Sequence, residues 1–196
     1  MANLPAARPM DGNGIPIIGP TDGQKATFVF SRSTFAIAAT PTDIAIINGS
    51  SSGKIVRITR IEIDALCTAP TASALEVQLI KRTSANSGGT TTGSPAGVAY
   101  DSNDGSPTAQ VLCYTGNPSG LGTSAGIVRD GKIVPVLSPF TATDFPQHDK
   151  LIWDFGNRPE KALVLNSATE GYAINLAGAT IPAGLSMGIS IEVTEE

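Results

Sequence analysis

The sequence predicts an all-β protein, an antiparallel β-sandwich or jelly roll of about ten short strands. Three observations predict it. β-branched residues are concentrated in short runs that alternate apolar with polar side chains. Gly and Pro, 21 and 14 of the 196 residues, separate these runs as turn-forming residues do. No stretch has the apolar spacing of an amphipathic helix.

The longest strand-like run is Lys54–Cys67, KIVRITRIEIDALC, and its alternation changes phase in the middle. Val56 and Ile58 share one face, whereas the apolar residues from Ile61 onward share the other. A period of two cannot survive a three-residue step, so we expect a bulge or bend between Ile58 and Ile61. We expect the two halves to turn inward on different sheets, at a corner of the sandwich. The alternative is two short strands separated by a kink.

Shorter runs predict the other strands, and Ile127–Leu137, broken by Asp130-Gly131, predicts a hairpin. Two polar stretches, Thr83–Thr108 and Gly116–Gly126, are predicted to be loops, and loops as long as the first are usually functional or disordered. The remaining predicted strands are Ala26–Phe30, Thr34–Ala38, Asp43–Asn48, Ala74–Arg82, Ala109–Thr115, Lys150–Phe155, Lys161–Leu165, Tyr172–Leu176 and Ser186–Thr194.

Residues Met1–Lys25 are predicted to form an extended N-terminal arm, and residues 26–196 a single domain. The arm is rich in Pro and Gly, which excludes a helix and makes a poor internal strand. It also carries three isoleucines that a solvated tail does not need. We therefore expect it to lie against a neighbouring subunit or a partner; the alternative is a disordered leader. The expected contact residues are Ile15, Pro16, Ile17, Ile18 and Pro20.

Composition excludes several classes of partner. Charged residues make up only 15% of the chain and the net charge is −4, which argues against a surface that binds nucleic acid. We find no secretory signal pattern and no apolar run of membrane-spanning length, so no membrane is expected as a partner. Cys67 and Cys113 lie in strand-like runs and are predicted to be buried thiols, with a disulfide as the alternative.

No constellation predicts catalysis, a cofactor or a metal. Gly184–Gly188 fits the G-x-S-x-G pattern, but that motif needs a strand-to-helix turn and a later histidine, and the single histidine, His148, lies upstream. Asp101–Gly105 resembles part of a calcium loop without its closing glutamate, and a turn is the preferred interpretation. Trp153 is in phase with Leu151 and Phe155, so these three should share one packed face.

Several segments resemble small head proteins of tailed bacteriophages, the decoration or cement subunits. The resemblance covers about residues 44–196 and lies in the order of strands and loops; it includes GKIVRITRIEIDA, VQLIKRTSANSGGT, DSNDGSPTAQVLCYTGNPSG, Trp153–Gly156, Ala173–Leu176, Pro182–Gly184 and Ile191–Glu196. It implies a β-sandwich or jelly roll that is often trimeric, binds the outside of a capsid lattice and has no catalytic activity.

The expected function is therefore that of a capsid decoration protein. Its expected partners are the major capsid protein and further copies of itself, in a homotrimer, and its expected location is the capsid exterior after assembly in the host cytoplasm. The alternative from another class is a receptor- or glycan-binding module, such as a fibre or spike head, on the same kind of fold.

Overall fold

The computed structural model describes residues 25–69, 74–92, 95–137, 150–156 and 163–196. Within these ranges the chain forms thirteen strands in two largely antiparallel sheets and no helix, which confirms the all-β prediction. It follows that no helix of the described ranges is long and apolar enough to cross a membrane.

Sheet I has the strand order β10-β3-β13-β1-β6, and β9 and β11 also pair with β3. Its two central strands, β3 and β13, pair antiparallel along almost their whole length. The strands of sheet I are β1 (Ala26–Ala36), β3 (Val56–Cys67), β6 (Val98–Ala99), β9 (Val136–Leu137), β10 (Lys150–Asp154), β11 (Leu163–Leu165) and β13 (Ser186–Glu195).

Sheet II has the strand order β5-β7-β2-β12-β4-β8. Its central strand β12 pairs with β2 and β4 along its two edges and is buried at every position. The strands of sheet II are β2 (Asp43–Asn48), β4 (Leu75–Arg82), β5 (Thr90–Thr91), β7 (Gln110–Gly116), β8 (Ser124–Ile133) and β12 (Gly171–Asn175).

The two sheets bury their apolar side chains in one common core. Ile61 and Ile191 of sheet I belong to the same cluster as Leu79 and Ile174 of sheet II, and all four are fully buried. Trp153 and Phe155 also lie in this cluster, with Leu151 packed against it, as their shared phase predicts. The jelly-roll connectivity stays a prediction.

The bulge predicted in β3 is confirmed, but the predicted corner is wrong. Glu192 and Val193 of β13 pair with Arg60 and Ile58, so Thr59 is an extra residue in β3. The bulge absorbs the three-residue step, so that both halves of β3 turn their apolar side chains to the same core and the whole strand stays in sheet I. These side chains are at most 1% exposed: Val56, Ile58, Ile61, Ile63, Ala65 and Cys67.

Two other local predictions need correction. The runs Ala26–Phe30 and Thr34–Ala38 were expected to be separate strands, but they form the single strand β1, with a register irregularity between Arg32 and Phe35. The hairpin predicted at Asp130-Gly131 is absent, because both residues lie inside β8 and pair with β4. A Cβ on Gly131 would lie 2.8 Å from Leu151 Cδ1, so this glycine permits close packing of β10 on β8 instead of a turn.

Both cysteines are free and buried, which confirms the thiol prediction over the disulfide. Burial raises the pKa of Cys67, and burial raises the pKa of Cys113 to about 11. The reactive thiolate is therefore scarce at neutral pH.

We expect both thiols of the native protein to react with a maleimide at pH 7.5 at least about 100-fold more slowly than a free cysteine, because burial suppresses both access and ionisation. Mass spectrometry of timed samples measures this, and 6 M guanidinium provides the matched condition in which both should be modified. Rapid modification of either cysteine in buffer would contradict the burial.

Candidate partner-binding face

Among the described residues, the outer face of sheet I carries charged side chains of both signs. Alternation along β3 and β13 places their apolar residues in the core and their polar residues outward. The outward side chains of β3, β10 and β13 include three cationic and four anionic residues: Arg57, Arg60, Lys150, Glu62, Asp64, Asp154 and Glu192.

An ion-pair network fixes part of this face. Glu62 accepts a hydrogen bond from Lys150 Nζ at 2.7 Å and is also paired with Arg60. The hydrogen bond from Lys150 is the largest of the effects that lower the pKa of Glu62, and the contribution of Arg60 acts in the same direction. The carboxylate is therefore ionised at neutral pH and links β3 to β10.

Exposed apolar side chains flank these charges. Val98 of β6 is 61% exposed and Tyr100 is 60% exposed. Ile152 of β10, at the opposite edge of the same face, is 46% exposed. The Tyr100 hydroxyl donates a hydrogen bond to Glu192 Oε1 at 2.8 Å, which holds the ring beside β13. Partial desolvation and this bond raise the pKa of Tyr100. An exposed aromatic ring beside arginines and an aliphatic residue is a composition typical of binding surfaces.

The outer face of sheet II is different, because part of it is buried within the chain. Alternation along β2 places Ala45 and Ile47 in the main core, whereas Ile46 forms a second apolar cluster with Ala173 and Tyr114. These three residues are at most 3% exposed although they lie on the side of the sheet away from the main core.

A buried polar cluster ties loop segments to sheet II. Asp43 Oδ1 accepts from Arg82 Nη2 at 2.8 Å and from Asn175 Nδ2 at 2.6 Å, and Asp43 Oδ2 accepts from Arg82 Nε at 3.2 Å and from Asn86 Nδ2 at 2.8 Å. Arg82 Nη1 also donates to the Gly122 carbonyl at 3.0 Å. Asp43, Arg82 and Asn175 are at most 6% exposed.

Asn86 joins the two predicted loops to each other and to the second apolar cluster. Its Oδ1 accepts from the Gly122 amide at 2.8 Å. Burial raises the pKa of Tyr114, and a hydrogen bond between Asn86 and Tyr114 opposes that rise. The segments after β4 and β7 therefore serve, at this point, to complete sheet II.

A second buried carboxylate anchors the end of β13. Glu195 is 4% exposed and accepts hydrogen bonds from the amides of Thr108 and Ala109, both at 2.7 Å, and from the Thr108 hydroxyl at 2.8 Å. Lys54 Nζ lies 3.2 Å from its Oε2. Burial alone would raise the pKa of Glu195, but the hydrogen bonds from Ala109, Thr108 and Lys54 outweigh it, and the pKa is lowered.

We expect Glu195→Gln to lower the free energy of unfolding by about 1–3 kcal/mol at pH 7, since charge-assisted hydrogen bonds contribute that much. Because the folded-state pKa is below the usual 4.5, this stabilisation is present above pH 4.5 and is lost as the pH falls through the folded-state pKa. Urea unfolding of both proteins between pH 7 and pH 3 measures it. A difference that stays constant down to pH 3 would contradict a role for the ionised carboxylate.

The predicted contact residues Ile15, Pro16, Ile17, Ile18 and Pro20 lie outside the described residues, as does His148. Ser186 of the G-x-S-x-G match begins β13, not a helix. Asp101 accepts from the amides of Asn103 and Asp104, as in a turn. Among the described residues, no group of three or more His, Cys, Asp or Glu could hold a metal.

Comparison with known proteins identifies no relative: no family model, curated protein or solved structure matches this chain.

Proposed function

We propose that this chain is a structural virion protein that decorates the outside of a bacteriophage capsid and binds the major capsid protein through the outer face of sheet I. The observation that carries the proposal is the asymmetry between the two sheets. Part of the outer face of sheet II is covered by the chain's own buried polar cluster, whereas the outer face of sheet I presents Tyr100, Val98 and Ile152 beside charges of both signs. Such a face suits a partner surface of mixed polarity.

A homotrimer fits this role, because a capsid lattice has local three-fold positions that three equivalent subunits can match at once. Several individually weak contacts then attach the trimer firmly to the capsid. After one subunit has bound, the second and third contacts form within the same complex. In this proposal the protein acts on the capsid exterior, after assembly in the host cytoplasm, by contact area and without catalysis.

Tyr100→Ala is expected to weaken binding to undecorated capsids at least about tenfold, because a tyrosine in a protein interface is a frequent hot spot. Co-sedimentation with capsids measures the affinity, and light scattering measures the oligomeric mass. Leu121→Ala is the matched control: Leu121 is 44% exposed but lies in the segment that completes sheet II.

The outcomes separate this proposal from its rival. Equal losses in the Tyr100 and Leu121 variants would contradict the assignment to sheet I, and a protein that does not bind capsids would contradict the decoration function. Tyr100 is also the observation that favours a glycan-binding module, because an exposed aromatic ring can stack on a sugar. Glycan-array binding that Tyr100→Ala abolishes, without capsid binding, would establish that alternative.

A further inference from the structure

An apolar groove lies at the end of sheet I where β1 ends and β13 begins. We name it the distal groove. Its volume is about 330 Å³, within the range of about 300–1,000 Å³ typical of ligand pockets. The described residues that line it include no charged side chain, and its main apolar residues are Ile37, Ile181, Pro182 and Leu185.

Near this groove, from Ser33 to Ala36, the outer edge of β1 has no partner strand among the described residues; before it, Arg32 Nη2 donates a hydrogen bond to Thr92 Oγ1 at 3.3 Å. β6 pairs with β1 only at Phe28 and Val29, and among the described residues no strand pairs with β1 beyond that point on this side. A free strand edge beside an apolar groove is the arrangement by which proteins accept an extended peptide. The occupant should therefore be extended, uncharged and apolar.

The arm contains one segment with these properties. Between Asp11 and Asp22 the chain carries no charge, and Ile15, Ile17 and Ile18 lie in this interval. Pro16 and Pro20 exclude a helix and are compatible with an added edge strand.

The same copy cannot place Ile17 and Ile18 in its own distal groove. The arm joins the described chain at Lys25, which is fixed by an ion pair with Glu196 at 2.7 Å, at the opposite end of β1. The register pairs Ala26 with Glu195 and Ala36 with Ser186, and this length of β13 spans about 30 Å at about 3.4 Å per residue. Eight residue steps separate Ile17 from Lys25 and seven separate Ile18 from it, and they reach at most about 29 Å and about 25 Å even when fully extended.

We propose that the arm segment 15–20 of one copy binds the distal groove of a second copy, with strand addition at the free edge of β1. Such a contact runs head to tail, and it closes into a ring when the rotation between copies allows it. The inference does not depend on capsid binding.

Site-specific cross-linking tests the exchange, and the native thiols give little background because both are buried. Full-length Ile17→Cys is mixed with full-length Ala39→Cys, whose exposed residue lines the groove, and a short bismaleimide is added. A covalent two-chain product between the different variants is expected. It should form at least about 100-fold faster than at micromolar random encounter, because docking raises the effective concentration to the millimolar range.

Two controls make the result decisive. Glu76→Cys, at an exposed position of β4, replaces Ala39→Cys and should give only the random rate. Ile181→Asp in the groove of the Ala39→Cys copy should abolish the specific product while its melting temperature shows that it folds. A product no faster than that of the Glu76 variant would overturn the proposal. So would a double variant, Ile17→Cys with Ala39→Cys, that cross-links only within one chain.

Discussion

Replacing Asp43 with alanine is expected to lower the free energy of unfolding by about 3–5 kcal/mol, because it leaves Arg82 buried without its counter-charge. Arg82 is 5% exposed and donates two of its hydrogen bonds to Asp43. Asn86 and Asn175 lose an acceptor in the same step. Urea unfolding followed by the fluorescence of Trp153, the single tryptophan, measures the change.

A second substitution distinguishes the effect of an unpaired buried charge from the effect of lost packing. Asp43→Ala combined with Arg82→Met should recover part of the loss, since no unpaired charge is then buried. Lys150→Ala breaks an ion pair on the outer face of sheet I, where Lys150 is exposed, and is expected to cost at most about 1 kcal/mol. If Asp43→Ala cost no more than Lys150→Ala, the cluster would not be a main source of stability.

The same cluster shows where prediction from sequence fails. Asp43 contacts Arg82, Asn86 and Asn175, which lie 39, 43 and 132 positions away in the chain, so no local pattern brings them together. One signal was present: an asparagine within an otherwise apolar strand, Asn175, is unusual and indicates a specific hydrogen-bonding role.

Local patterns predicted the strands well where the pattern itself sets the geometry. The phase change in β3 located the bulge, because a three-residue step is visible in the sequence alone. It could not show on which sheet each half lies, since that depends on pairing with β13. The hairpin predicted at Asp130-Gly131 was wrong for a similar reason, because pairing with β4 and contact with Leu151 override a local turn signal.

The candidate site was the least predictable part. Tyr100 and Ile152 lie 52 positions apart, and their common face exists only because β6 and β10 belong to the same sheet. Sequence reasoning placed the interface in the arm, which lies outside the described residues, and could not distinguish the partly buried outer face of sheet II from the outer face of sheet I.

Deleting Glu62 from β3 is expected to abolish cooperative folding, whereas deleting Thr59 from the same strand is not. Without Thr59 the sequence from Val56 to Ala65 alternates strictly, so the buried apolar side chains of β3 still face the core and only the bulge is lost. The cost should be about 1–3 kcal/mol, because the Thr59 carbonyl accepts from the Phe155 amide at 2.7 Å and the Thr59 hydroxyl donates to the Glu192 carbonyl.

Deleting Glu62 has the opposite effect on the pattern, because it adds a phase change that no bulge corrects. Ile63, Ala65 and Cys67 would turn outward and Asp64 would turn into the core, in a strand that lies next to β13 at the centre of sheet I. Circular dichroism and urea unfolding of the two deletion variants, which differ from the native chain by one residue each, measure the contrast. A cooperative transition in the Glu62 variant would mean that β3 can correct its phase at a second position, and the bulge at Thr59 would then be one solution among several.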